Sequence, residues 1–287
     1  MMDILFASAV GVTQDCVRRR FRSASCHACA DVCPARAFSM TDGRISVDDS
    51  LCIECGDCLF VCPADAISGV SPQKRYQHDD ALVGPFSHKA PTVNELLLWH
   101  AQRGVRSISL EAEGFTAWMV ALAGLNLALR SFGEPTWTFR PALKKEIDAA
   151  RRTLIHVPRD AVSARAVLPG LRQLRAAFPD FSECHLTIDP EKCVLCGACW
   201  RSCAEKALSF EAGILAIEPG RCTGCGGCEN VCHHQAVTLT PDKGAARRSE
   251  RAAHASTCQE CSRPFWTFNR EDARCYLCQH HHHGMRR

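Results

Sequence analysis

The chain has 287 residues, of which 46% are hydrophobic and 23% charged, proportions typical of a folded protein with two or three domains. Its formal net charge of +3 is small and no nucleic-acid-binding motif accompanies it, so we expect no nucleic-acid partner. The first residues lack the charged and apolar regions of a secretory leader. The 21 cysteines therefore predict reduced, metal-binding thiols in the cytoplasm rather than a secreted disulfide scaffold.

Residues 1–79 are predicted to form a first cysteine-rich module. Residues 52–62 have the spacing C-x2-C-x2-C-x3-C and are followed by Pro63. Three thiolates in one such loop, here Cys52, Cys55 and Cys58, can bind one face of a cubane iron–sulfur cluster, with the fourth ligand coming from elsewhere. Zinc knuckles and disulfides are the alternatives, but neither requires this spacing.

Residues 80–184 contain one cysteine, Cys184, and alternate between strand and helix patterns. The pattern predicts strands at 81–86, 105–110 and 136–139, and helices at 92–103, at 115–131 and from Pro141 to about residue 154. The apolar helix is shorter than the roughly 20 residues that span a bilayer, so we expect it to be buried and expect no transmembrane segment. The segment is predicted to be a small α/β domain, and its pattern names no function.

Residues 185–245 are predicted to form a second module that repeats the first. Five cysteines recur 170 positions later: Cys33, Cys52, Cys55, Cys58 and Cys62 as Cys203, Cys222, Cys225, Cys228 and Cys232. Cys26 and Cys29 likewise recur as Cys196 and Cys199. Ser23, however, stands where the second copy has Cys193. In each copy, alternating residues around Gly43 or Gly213 predict a short pair of strands.

These paired motifs resemble those of the bacterial two-[4Fe–4S] ferredoxin family, present in two copies over residues 16–68 and 193–239. The resemblance implies an α+β protein, with two ferredoxin-like dicluster modules flanking the small α/β domain, and it implies electron transfer. It also implies a crossing arrangement, in which the fourth cysteine of each motif binds the other cluster. The implied ligand sets are Cys193, Cys196, Cys199 and Cys232; Cys222, Cys225, Cys228 and Cys203; Cys52, Cys55, Cys58 and Cys33; and Cys26, Cys29 and Cys62 with one further ligand.

The further ligand of the last set is open because Ser23 replaces the expected cysteine. The nearest spare thiol is Cys16, seven residues upstream. Seven extended residues span more than about 20 Å, so a loop can bring Cys16 to the vacant iron. We favour Cys16, and ligation by Ser23 or an open iron held by three cysteines are the alternatives.

Residues 246–287 are predicted to form a linker and a short zinc ribbon. Cys258 and Cys261 form one C-x2-C pair, and Cys275 and Cys278 form another after 13 residues, which is the spacing of a zinc ribbon. We expect Phe265, Trp266 and Phe268 to form its core and the four cysteines to bind one structural Zn²⁺, with a rubredoxin-like iron as the alternative. Cys184 is then left as a buried thiol outside the metal sites.

Together, the motifs predict an electron-transfer iron–sulfur protein with four [4Fe–4S] clusters. It would act as a polyferredoxin-like carrier or as a subunit of a redox enzyme complex, with a redox protein or an oxidoreductase catalytic subunit as partner. Dinucleotide fingerprints, phosphate loops and nucleophile elbows are absent from the sequence, so an independent enzyme is not expected. The alternatives are a ferredoxin-type accessory factor for metalloenzyme maturation and an oxidoreductase with a substrate site in the middle domain.

Overall fold

The computed structural model describes residues 9–110, 114–141 and 162–280. Its strands are β1 (Gly11–Val12), β2 (Phe38–Thr41), β3 (Arg44–Val47), β4 (Ile67–Ser68), β5 (Arg75–His78), β6 (Ala81–Val83), β7 (Ser107–Leu110), β8 (Thr138–Pro141), β9 (Ser163–Arg165), β10 (Phe181–Ile188), β11 (Leu208–Glu211), β12 (Ile214–Ile217), β13 (Val237–Ala245), β14 (Ser249–Ala252), β15 (His254–Thr257) and β16 (Pro264–Thr267). Its α-helices are α1 (Val17–Arg20), α2 (Ala28–Val32), α3 (Val93–Arg103), α4 (Thr116–Phe132), α5 (Leu171–Ala177), α6 (Ala198–Ser202), α7 (Gly227–Asn230) and α8 (Tyr276–His280). Short 3₁₀ turns cover Asp49–Leu51, Asp57–Phe60 and Pro219–Arg221.

The chain forms two compact units. The first contains the described parts of Met1–Cys16 and His27–Ala177, and the second contains Val17–Cys26 and the described part of Phe178–Arg287. The first module and most of the middle segment thus share a unit, and the second module shares the other with the tail. The division into four parts at residues 79, 184 and 245 stays a prediction.

A five-stranded sheet has the order β8-β7-β6-β5-β9. Four of its strands come from the middle segment, whereas β5 (Arg75–His78) comes from the end of the stretch predicted as the first module. Strands β6, β7 and β8 are parallel, whereas β5 is antiparallel to both of its neighbours. Helix α3 connects β6 to β7, and α4 connects β7 to β8, which gives the predicted alternation. Thr92 caps α3 because its Oγ1 accepts a hydrogen bond from the Glu95 N–H (3.2 Å), and Gly104 ends the helix at a φ of +67°.

The apolar helix α4 is buried on one face and exposed on the other. Trp118, Leu125 and Leu129 are at most 1% exposed, but Val120 and Leu127 are 67% and 68% exposed. The expectation of a buried helix therefore holds for one face of α4 and not for the other. Among the described residues, no helix is both long enough and apolar enough to cross a membrane.

The predicted helix that starts at Pro141 is not seen at its first residue, because Pro141 is the last residue of β8. A proline can end an edge strand, where it has no donor to offer to a further strand. The remainder of this prediction, residues 142–154, lies outside the described residues.

Each module contains the predicted strand pair. Strands β2 and β3 are joined by Asp42 and Gly43, and β11 and β12 by Ala212 and Gly213. All four linking residues have a positive φ, between +50° and +81°, as a two-residue hairpin turn requires. A second antiparallel pair closes each module, β1 with β4 in the first and β10 with β13 in the second.

Candidate metal centres

The four cysteines expected to cross between clusters share one local structure. In each case the backbone N–H of an alanine four residues later donates a hydrogen bond to the cysteine Sγ at 3.2–3.4 Å. The pairs are Cys33 with Ala37, Cys62 with Ala66, Cys203 with Ala207, and Cys232 with Ala236. The alanines are at most 2% exposed, so these N–H donors point at sulfur without competition from water.

The residue before each alanine has a left-handed backbone conformation, which orients the alanine N–H toward the sulfur. The residue before the alanine is Arg36, Asp65, Lys206 or Gln235, and its φ lies between +49° and +52°. A non-glycine residue in this region is uncommon and costs free energy, which the surrounding structure must offset. The same turn therefore occurs four times despite four different side chains, because its role is to turn the backbone toward a sulfur atom.

The structure brings three crossing cysteines beside the loops predicted for them. Burial, together with repulsion from the nearby thiolates of Cys55, Cys52 and Cys33, raises the pKa of Cys58 to about 12. Burial likewise raises the pKa of Cys199 to about 12, with added repulsion from Cys193, Cys196 and Cys232. Burial also raises the pKa of Cys228 to about 12, and its sulfur neighbours are Cys222, Cys225 and Cys203.

The chemistry of these donor sets fits a cationic iron–sulfur core. Four thiolates that repel each other in a buried site need a positive centre to remain ionised together. The donors are soft sulfur atoms with backbone N–H groups around them, which is the environment that such clusters take in proteins.

Strand pairing places Cys16 where the second module has Cys193. In the outer strand pairs, Val12 lies opposite Ile67 and Ile188 lies opposite Val237. The next N–H in each chain, from Thr13 or Asp189, donates to the carbonyl of Ala66 or Ala236 at 2.8 Å. Three residues after Thr13 comes Cys16, and four residues after Asp189 comes Cys193, and each cysteine N–H donates back to that Thr13 or Asp189 carbonyl.

The structural equivalent of Cys193 is therefore Cys16 and not Ser23. Ser23 is exposed, whereas Cys16 is half-buried and packs against the apolar cluster that contains Val12 and Cys29. The residues between Cys16 and Cys26 are an insertion relative to the second copy, and this insertion is why a constant offset of 170 positions pointed to the wrong residue.

The insertion belongs to the second unit. The ring of Phe21 lies over Gly227, where a Cβ would come within 2.7 Å of it. Arg20 Nη2 donates to the carbonyl oxygen of Ser202 at 3.0 Å. Burial raises the pKa of Cys225, and the charge of Arg20 opposes part of that rise. Cys26 is the last residue of this segment, and Cys29 and Cys62 lie in the first unit, both buried.

Comparison with known proteins agrees with this geometry. Two models for a 4Fe–4S dicluster domain match the chain, one at residues 24–75 and the other at residues 185–233. The chain contains two 4Fe–4S dicluster domains. The predicted ferredoxin resemblance is thereby confirmed.

Similar proteins come from several bacteria. Hydrogenase-4 component A of Escherichia coli is 36% identical over 92 residues, which is 30% of this chain and 43% of that protein. Formate hydrogenlyase subunit 2 of E. coli is 41% identical over 54 residues, 16% of this chain and 27% of that protein. A ferredoxin of Rickettsia felis is 34% identical over 62 residues, 22% of this chain and 52% of that protein. The chain thus spans about half or less of the length of these relatives.

A lysine from outside the first dicluster domain reaches into it. Lys89, in the loop between β6 and α3, forms an ion pair with Asp57 Oδ2, and Asp57 is 8% exposed. Burial lowers the pKa of Lys89, but hydrogen bonds and charge from Asp57 and Cys55 outweigh burial and raise it above its usual value. Sequence reasoning missed Lys89, although Asp57 stands where the second domain has Gly227.

The four cysteines of the tail lie together. Their sulfur atoms are all within 4.8 Å of one another. Cys258 and Cys261 follow β15 in the turn of the β15–β16 hairpin, whereas Cys275 directly precedes α8 and Cys278 lies within it. Backbone N–H groups of Cys261 and Cys275 lower the pKa of Cys258 to about 6, which favours a thiolate. The group can therefore bind a metal ion, and zinc as that metal stays a prediction.

Trp266 does not lie within the small core that was expected for the tail. Trp266 is 40% exposed and packs edge-on against Phe210 with ring centroids 5.6 Å apart. Its ring lies 2.5 Å from where a Cβ on Gly213 would stand. Trp266 thus packs on the hairpin of the second dicluster domain, and the glycine makes room for it.

Cys184 is half-buried rather than fully buried. Its sulfur lies 2.8 Å from where a Cβ on Gly224 would stand, so it packs on the loop between Cys222 and Cys225.

Proposed function

We propose that the chain passes single electrons through four [4Fe–4S] clusters, as a carrier or as the electron-transfer subunit of a redox enzyme complex. This proposal rests on a turn that occurs four times in the chain. In each instance a buried alanine N–H donates to a cysteine sulfur, that of Cys33, Cys62, Cys203 or Cys232. A thiol used for packing alone gains little from such a donor, whereas a thiolate ligand is stabilised by it.

The proposed ligand sets follow the crossing arrangement. They are Cys52, Cys55, Cys58 and Cys33; Cys222, Cys225, Cys228 and Cys203; Cys193, Cys196, Cys199 and Cys232; and Cys16, Cys26, Cys29 and Cys62. When bound, the clusters supply one-electron redox chemistry. The chain's own groups hold the thiolates in place, exclude water at the alanines and supply N–H donors that offset the negative charge.

The names of the relatives support a partner of a particular kind. One relative is named as a component of a hydrogenase, and another as a subunit of a formate hydrogenlyase. We therefore propose that this chain exchanges electrons with a redox protein or with the catalytic subunit of an oxidoreductase. The tail is proposed to bind one structural Zn²⁺ through Cys258, Cys261, Cys275 and Cys278.

Metal analysis tests this proposal directly. Anaerobically purified protein is expected to contain about sixteen iron atoms and about sixteen acid-labile sulfides per chain, together with one zinc. About eight irons would contradict the four-cluster proposal. Additional iron with the absorption spectrum of rubredoxin, and no zinc, would contradict the zinc site alone.

The proposed role of Cys16 has its own test. Cys16→Ser should lose the affected cluster or convert it to a three-iron form, because iron in these clusters strongly prefers thiolate to a hydroxyl. Ser23→Ala is the matched control and should leave the iron content and the low-temperature EPR spectrum unchanged, because Ser23 is exposed. A cluster lost in Ser23→Ala but retained in Cys16→Ser would reverse the assignment.

A further inference from the structure

Lys89 brings a positive charge from outside the dicluster domain to the loop between two proposed ligands, Cys55 and Cys58. The Lys89 side chain is 36% exposed, but its Nζ is shielded from solvent and pairs with Asp57 Oδ2. The sulfur of Cys55 is the second polar neighbour of this Nζ. A second contact fixes the same region, because Asn94 of α3 donates from Nδ2 to the carbonyl oxygen of Phe60 at 2.8 Å. Lys89 is thus held against the cluster loop by the segment that leads into α3.

The second dicluster domain lacks this arrangement. The equivalents of Cys55 and Asp57 are Cys225 and Gly227, and Gly227 is covered by the ring of Phe21. The cation whose charge acts on Cys225 is Arg20, which is exposed and donates to the carbonyl of Ser202. Two equivalent ligand loops therefore have cations that differ in their exposure to solvent.

Exposure decides how strongly a cation acts on a nearby redox centre. Reduction adds one negative charge to a cluster, so a neighbouring positive charge stabilises the reduced form and raises the potential. Water and salt screen an exposed guanidinium such as that of Arg20. They screen a shielded ammonium such as that of Lys89 much less.

We propose that the ammonium of Lys89 raises the reduction potential of the cluster held by Cys33, Cys52, Cys55 and Cys58 above the potential that this cluster would have without it. The inference rests on the proposed function, because it requires clusters at these cysteines. The inference gives a role to the segment between β6 and α3. This segment supplies a positive charge that makes the cluster a more favourable electron acceptor than it would be without Lys89. Asp57 holds the ammonium in place and partly offsets its charge.

The test is a voltammetric titration of the whole protein, supported by EPR. In Lys89→Met, one of four one-electron waves should move to lower potential, and it should be the wave that is missing in Cys55→Ala. The ratio of reduced to oxidised cluster at a fixed ambient potential should fall about tenfold, which corresponds to ~59 mV for one electron. Lys89→Arg should keep the wave near its original position, because the charge is retained.

Two further variants complete the test. Arg20→Gln, the exposed counterpart, should shift its own wave by much less than Lys89→Met. Asp57→Asn removes the opposing charge, so it should move the same wave as Lys89→Met in the opposite direction. If Lys89→Met loses iron, Lys89→Gln takes its place, because it also removes the charge but keeps a polar side chain, and a wave that stays unmoved in Lys89→Gln would overturn the proposal.

The outcomes separate this inference from the proposed function. Fewer than four waves in the unmodified protein would contradict the four-cluster proposal itself. If all four waves stay in place in both Lys89→Met and Asp57→Asn, the four-cluster proposal holds and the proposed role of Lys89 is wrong.

Discussion

Replacing Cys225 with alanine is expected to remove one cluster and to destabilise the second dicluster domain far more than the first. Cys225 lies in the loop with Cys222 and Cys228, and the nearby Cys203 comes from the other motif of the same domain. Losing this cluster therefore releases contacts in both motifs of one domain. Because ligand binding in such sites is coupled to folding, the loss should melt the local structure around β11, β12 and α7.

The expected iron content of Cys225→Ala is about twelve per chain in place of about sixteen. Hydrogen exchange followed by mass spectrometry should show faster exchange in residues 193–245 and little change in residues 26–68. Cys184→Ala is the matched control, because Cys184 packs on the same loop but lies outside the proposed ligand sets. Cys184→Ala should keep the full iron content.

Two results would contradict this expectation. Unchanged iron in Cys225→Ala would mean that Cys225 is not a ligand. Loss of all four clusters would mean that the two domains fold as one unit, although their ligand sets are separated by 170 positions in the sequence.

The parts of the site that sequence analysis could predict are local. The spacing of the proposed ligands within residues 52–62, 193–203 and 222–232 can be read directly from the sequence, and so can the glycine turn of each hairpin. The two hairpins form as predicted, around Gly43 and Gly213. Local spacing is reliable here because a cubane cluster accepts few loop lengths between its ligands.

The parts that sequence analysis missed depend on long-range pairing. The constant offset between copies aligned Ser23 with Cys193, and Cys16 was favoured as the ligand only as the nearest spare thiol. The pairing of β1 with β4 gives Cys16 the position of Cys193. The insertion after Cys16 could not be located from spacing alone, because its partners Ser202 and Gly227 lie about 180 or more positions away along the chain. A lone loop residue such as Lys89 carries no periodic pattern at all. In the sequence, the role of Lys89 is signalled only by the difference between Asp57 and its equivalent, Gly227.

Trp266 is a second case in which the sequence did not reveal a long-range contact. Its aromatic neighbours in the sequence, Phe265 and Phe268, suggested a core within the tail. The structure places the Trp266 ring against Phe210 and over Gly213, where the absence of a Cβ leaves space for it. Hydrophobic residues identify what can pack, but the packing partner is set by tertiary contacts that sequence distance does not reveal.

Replacing Arg75 with methionine is expected to destabilise the middle sheet by about 3–5 kcal/mol. Arg75 in β5 donates to both carboxylate oxygens of Glu95 in α3, from Nε at 2.5 Å and from Nη2 at 2.9 Å. The two side chains are 9% and 2% exposed, and the Arg75 guanidinium also lies 5.2 Å from the ring centre of Trp118. Removing the arginine leaves a buried carboxylate without its cation, which is the costly way to break such a pair.

Two further variants test whether the destabilisation expected for Arg75→Met comes from the buried, unpaired charge. Arg140 forms the same two-point contact with Asp80, at 3.3 Å for both oxygens, but the side chains are 54% and 42% exposed. Arg140→Met should therefore cost at most about 1 kcal/mol. The double variant Arg75→Met with Glu95→Leu should recover most of the stability, because it leaves no unpaired charge in the core. The rate of amide hydrogen exchange in β5, β6 and β9 reports the stability of the sheet in all three variants.

The Arg75–Glu95 pair also supports the loop that carries Lys89. Glu95 lies in the first turn of α3, one residue after Asn94, which holds the carbonyl of Phe60 beside the proposed cluster. Disorder at the start of α3 would free both Asn94 and the Lys89 loop from the cluster loop. Arg75→Met should therefore lower the same reduction potential as Lys89→Met, while Arg140→Met should not. A destabilised sheet with an unchanged potential would show that Lys89 is held by Asp57 alone.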